Sequence, residues 1–110
     1  MTWTTIKPSR IKPKRSKPAV HRNQRGYTRI FWPAGMATAK RVRVASDGNG
    51  RLAFTFTANG EYAVWSAAGA VSMVSSIPPE FRHRIPVGTT DVNMTREGDA
   101  WVLDLNELPA

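Results

Sequence analysis

The chain has 110 residues, no cysteine, and sixteen Lys or Arg against eight Asp or Glu, for a formal net charge of +8. Such a length supports one small domain, and the absence of thiols excludes disulfides, thiolate metal sites and cysteine nucleophiles. No apolar run approaches the roughly 20 residues a membrane helix needs, and no hydrophobic segment follows the charged N-terminus, so a cytoplasmic or virion-internal protein without a membrane partner is expected.

Twelve Lys or Arg precede the first acidic residue, Asp47; from there on, four Arg face eight carboxylates. Residues 1–29 read as an extended basic arm in which Lys-Pro recurs at Lys7-Pro8, Lys12-Pro13 and Lys17-Pro18. Each proline sets its own φ and turns the preceding lysine toward β or polyproline geometry, so helix is disfavoured. Unneutralised cations at this density resist compaction and attract polyanions, nucleic acid foremost. Lys7, Arg10, Lys12, Lys14, Arg15, Lys17, Arg22, Arg25 and Arg29 are therefore candidate phosphate contacts. The Lys-Pro-x-Arg elements over residues 7–10 and 12–15 suit a narrow duplex minor groove.

A small β domain is expected over residues 30–110. Folded material begins with Tyr27, Ile30, Phe31 and Trp32, before a break at Pro33-Ala-Gly35. Arg41-Val-Arg-Val-Ala45 alternates charged and apolar side chains at period two, Asp47-Gly-Asn-Gly50 offers a turn, and Leu52-Ala-Phe-Thr-Phe-Thr57 resumes the alternation, which predicts a hairpin. Asn59-Gly60 predicts a type I′ turn into a third strand, Glu61-Tyr-Ala-Val-Trp65. Another strand is expected over residues 71–75, a short turn or helix after Pro78-Pro79 that Pro86 ends, and a last hairpin joining residues 91–95 to 100–105. About six short strands and one brief helical turn predict a mainly β fold, a small antiparallel barrel or rolled sheet, which leaves few edges exposed.

The alternation puts Arg41 and Arg43 on one face of their strand and Val42 and Val44 on the other, so the two guanidinium groups would extend the arm's cationic surface onto the domain. Arg25-Gly-Tyr-Thr-Arg-Ile-Phe-Trp32 interleaves aromatic and cationic residues, the pattern of single-strand binders, in which bases stack on aromatic rings beside phosphate-binding arginines. Tyr27 is the candidate stacking residue; a Phe-Trp pair at a domain entry belongs in a core, as do Trp65 and Trp101 on their strands. Trp3 would anchor the arm. His21 and His83 stand apart with no metal-ligand spacing, and no metal or cofactor is expected. His83 with Glu80, Arg82 and Arg84 would suit RNA cleavage, which needs a proton acceptor and cations around the phosphorus.

The segment Ile77-Pro-Pro-Glu-Phe-Arg82, Val87-Gly88, then Asp91-Val through the Glu-Gly-Asp turn to Leu105, resembles the second half of AbrB-like swapped-hairpin transcription factors. That resemblance implies a dimer whose interlaced sheet binds DNA. The family's first half, a short strand running through a glycine into the proline-bearing strand, is not evident here.

The expected protein is a non-enzymatic nucleic-acid-binding protein, DNA-binding or regulatory, that engages DNA or RNA phosphates with its arm and adjacent cationic strand. A homodimer or larger assembly is compatible with this. Two other readings fit the composition: a ribosome- or virion-associated assembly protein whose arm threads through a nucleoprotein particle, and a small RNase toxin using His83.

Overall fold

The computed structural model describes residues 2–3, 17–33, 35–66 and 73–108. Among the described residues there are nine strands: β1 (Ala19–Arg22), β2 (Thr28–Trp32), β3 (Arg41–Ser46), β4 (Arg51–Phe56), β5 (Tyr62–Ser66), β6 (Met73–Ser76), β7 (Gly88–Asp91), β8 (Met94–Glu97) and β9 (Ala100–Asp104), with short 3-10 helices at Pro79–Arg84 and Leu105–Glu107. All pairings are antiparallel, in the order β7-β1-β2-β6-β5-β3-β4-β9-β8. The sheet curls into a half-barrel because β5 turns a corner: Tyr62 and Ala63 pair with β3, whereas Val64 to Ser66 pair with β6. The two edge strands, β7 and β8, are joined only by Val92 and Asn93, so one chain segment carries both margins of the sheet.

The concave face is filled from every side by Val20, Ile30, Trp32, Val42, Leu52, Phe54, Val64 and Leu103. Trp32 is fully buried, packs edge-on against Phe54 and Phe56 at centroid distances of 5.4 and 4.9 Å, and donates from Nε1 to Ser75 Oγ at 2.8 Å. A buried indole N–H needs such a partner.

The class is mainly β, as expected, but nine strands replace six. β1 lies in the stretch read as extended arm, and neither it nor the Gly-Thr-Thr-Asp strand β7 carries apolar alternation; long-range pairing holds both. The β3–β4 hairpin and the β8–β9 hairpin form, the latter starting at Met94 rather than residue 91. The expected pairing of β4 with β5 does not: β4 lies between β3 and β9. Neither Asn59 nor Gly60 has positive φ, so there is no type I′ turn. Gly60 meets a different need, since a Cβ there would collide with the backbone of Val42. Trp65 is not core; it is 39% exposed on the face opposite Val64. Residues 71 and 72 of the expected fourth strand lie outside the described residues.

The strand order has an internal two-fold relation. Taking β7 and β8 as two pieces of one bent strand, β1, β2, β3 and β4 occupy the same places as β5, β6, β7/β8 and β9, and β2–β6 and β4–β9 are the self-paired seams. Matching the registers sets Val20 opposite Val64, Trp32-Pro33 opposite Ile77-Pro78, Val42 opposite Val92 and Phe54 opposite Leu103. All eight of these apart from the prolines are core residues. Gly48 and Gly98, at equivalent turns, both have positive φ, which glycine adopts without Cβ strain. Each half interleaves its two hairpins with those of the other. The halves differ most after the proline: residues 33–40 connect directly to β3, whereas residues 78–90 include the 3-10 helix Pro79–Arg84.

Candidate nucleic-acid interface

The two halves share a backbone plan and differ in charge. Residues 18–57 carry seven Lys or Arg against one carboxylate, Asp47; residues 62–106 carry three Arg against five. Position by position, the register sets Arg22 opposite Ser66, Arg29 opposite Val74, Arg41 opposite Asp91 and Arg43 opposite Asn93. Lys7, Arg10, Lys12, Lys14 and Arg15 lie outside the described residues. Lys17 is exposed where the chain enters the sheet, and the Pro18 carbonyl accepts from Val92 N at 2.9 Å.

The guanidinium groups fall into two classes. Arg41 and Arg43 share an exposed face as expected, and both grip the 59–61 turn. Arg41 donates to Gly60 O at 2.5 Å and Glu61 O at 3.0 Å, and Arg43 pairs with Glu61 at 3.4 Å. Arg22 donates to Ile85 O at 3.2 Å, Arg51 pairs with Glu97, Arg84 donates to Asn106 Oδ1 at 2.6 Å, and Arg96 donates to Gly98 O and lies over the Trp101 ring. By contrast, the guanidinium groups of Arg25, Arg29 and Arg82 make no hydrogen bond or ion pair among the described residues. The sequence put Arg41 and Arg43 together with Arg25 and Arg29; side-chain geometry separates them.

Arg25, Tyr27 and Arg82 meet at one groove. Asn23 organises the β1–β2 turn: its Oδ1 accepts from Arg25 N at 3.0 Å and Tyr27 N at 2.9 Å, its carbonyl accepts from Gly26 N, and its own N–H donates to Tyr27 O. Asparagine folds the chain back in this way, and Gly26 supplies the positive φ that the turn requires. Tyr27 is thereby held outward, 63% exposed. On the far wall, Ile77 is tied to Thr28 through its N–H and its carbonyl, which starts the 3-10 helix beside this turn and lays the Arg82 side chain against Gly26. The groove between them has a volume of about 370 Å³ and is lined by Arg25, Tyr27, Thr28, Ser76, Pro79 and Arg82.

The cluster around His83 does not converge. Arg82 turns to this groove, while His83 and Arg84 line a separate cavity of about 690 Å³ with Arg22 and Val87, and Glu80 lines neither. His21, on β1, bonds Thr89 Oγ1 through Nδ1 at 2.8 Å and straps β1 to β7. Trp3 is 86% exposed. Among the described residues no helix is long and apolar enough to cross a membrane. Sequence reading assigned Arg82 to the cleavage cluster; its place in the groove depends on a fold-back between residues far apart in the chain, for which the local sequence holds no signal.

No family model, curated protein or solved structure matches this chain.

Proposed function

We propose that this chain is a non-enzymatic nucleic-acid-binding protein that holds phosphates with its basic N-terminal residues and the cationic surface of its first half. The observation that carries this reading is the internal two-fold. The same backbone positions carry Arg22, Arg29 and Arg43 in one half and Ser66, Val74 and Asn93 in the other, so the cations belong to the first half and not to the plan that both share. Among these three, the Arg29 guanidinium has no protein partner among the described residues, and twelve cations ahead of the first acid suit a polyanion. The interleaved hairpins also agree with what the AbrB-like resemblance of residues 77–105 implies, a two-fold DNA-binding sheet, here supplied by one chain. A one-sided charge distribution favours an asymmetric contact over a palindromic one, because operator symmetry mirrors protein symmetry.

Every strand among the described residues lies between Ala19 and Asp104, so deletion of residues 1–16 cuts none of them. With about five phosphates neutralised at once, log K of the full chain falls against log salt with a slope of roughly −4 to −5. Deletion of residues 1–16, which removes five of the cations, takes away most of that slope. Unchanged affinity and slope after the deletion would reject the role of the arm.

A further inference from the structure

We propose that the groove between the β1–β2 turn and the 3-10 helix Pro79–Arg84 receives one unpaired nucleotide, its base stacked on Tyr27 and its phosphate held between Arg25 and Arg82. This rests on the nucleic-acid-binding reading and deepens it from charge attraction to a preference for single strands.

Four observations converge on this groove. Tyr27 exposes its ring while its backbone is pinned by two hydrogen bonds to Asn23, so little ordering is left to a ligand that stacks on it. Arg25 and Arg82 are among the guanidinium groups with no protein partner among the described residues, whereas Arg41, Arg43, Arg51, Arg84 and Arg96 are all engaged. The volume, about 370 Å³, is at the small end of ligand pockets, which run roughly 300–1,000 Å³; it suits a single base and not a base pair. Finally, the helix that brings Arg82 to Gly26 sits where the halves differ, since the described residues of 33–40 hold no helix. An aromatic face beside free cations is sequence-tolerant, because every base has a π-face, and a base inside a duplex stack cannot reach it. The half-exposed Ser76 on the groove floor adds a hydroxyl for a base edge or a ribose.

The test compares the full-length protein with Tyr27→Ala, Tyr27→Phe and Arg82→Ala in binding to a 12-nucleotide single-stranded DNA, the RNA of the same sequence, the corresponding DNA duplex, and heparin, a polyanion without bases. Tyr27→Ala is expected to weaken both single strands by between about 5-fold and about 150-fold, the worth of one stacked base. It should leave duplex and heparin within about twofold, while Tyr27→Phe retains single-strand affinity. Arg82→Ala is expected to weaken single strands more than heparin. A larger loss on RNA than on DNA identifies the ribose hydroxyl as a groove contact; equal losses identify the base and phosphate alone, and both outcomes support the site. Equal losses on all four ligands, or none on single strands, overturn the groove while the salt dependence of the arm still stands. Failure of the wild-type protein to bind any nucleic acid overturns both.

Discussion

The two halves of the chain are an internal experiment in which one backbone plan carries two surfaces. Their interiors agree: valine matches valine at Val20 and Val64 and again at Val42 and Val92, and a proline follows both buried Trp32, which ends β2, and buried Ile77, just after β6. Their exteriors do not, since the first half is strongly cationic and the second is anionic. A curled sheet of this kind requires an apolar concave face and two seams, at β2–β6 and β4–β9, and leaves most of the convex face unconstrained. What differs on that convex face is what the fold leaves to function.

The largest expected effect tests whether the halves share one core. Trp32→Ala at the β2–β6 seam is expected to cost about 3–5 kcal/mol, and its counterpart Ile77→Ala about 2–5 kcal/mol, read from urea midpoints with unchanged slope. If Ile77→Ala cost nothing, the halves would be stabilised separately. Gly60→Ala probes the junction between them. Because the added Cβ runs into the Val42 backbone and not into a flexible side chain, roughly 2–4 kcal/mol should be lost, with a thermal midpoint lower by at least about 10 °C; a neutral substitution would contradict the close approach.

The smallest effect separates the two equivalent turns. Asp47 accepts backbone hydrogen bonds from Asn49 N at 2.7 Å and Arg51 N at 3.0 Å, which hold its carboxyl below its ordinary value, with a lesser contribution from the Arg51 charge. A carboxyl lowered in the folded state contributes stability above its unfolded pKa and loses it as pH falls through the folded value. Asp47→Ala should therefore lower the urea midpoint at neutral pH, and the difference from wild type should vanish in acid. A difference that persisted in strong acid would assign the effect to something other than this carboxylate.

Legibility in the sequence followed the range of the interaction. Arg41 to Phe56 was readable because alternation and a glycine turn both act locally, and the same holds for the β8–β9 hairpin and for the brief helix between Pro79 and Pro86. β1 and β7 escaped because four residues with little apolar pattern become strands only when neighbours pair with them. The order of the sheet escaped too, since the β2–β6 and β4–β9 seams join residues about fifty apart. Tyr27 was recognisable as an exposed ring from its cationic context, and Arg25 and Arg29 as free charges. That Arg41 and Arg43 would turn to the 59–61 turn, and Arg82 to Gly26, required the three-dimensional fold.

The central claim is that nucleic acid is held by the cationic surface of the first half, joined at one groove by Arg82 of the second. Backbone amide shifts of the labelled full-length protein, titrated with a 12-nucleotide single strand at low salt, test it most directly. The expected result is a continuous set of perturbed amides over Lys17, Arg22 to Arg29 and Arg82, with Ser66, the counterpart of Arg22, and the second-half strands β8 and β9 unmoved. Perturbations spread equally over both halves, or concentrated around Asp91, Asp99 and Asp104, would contradict it.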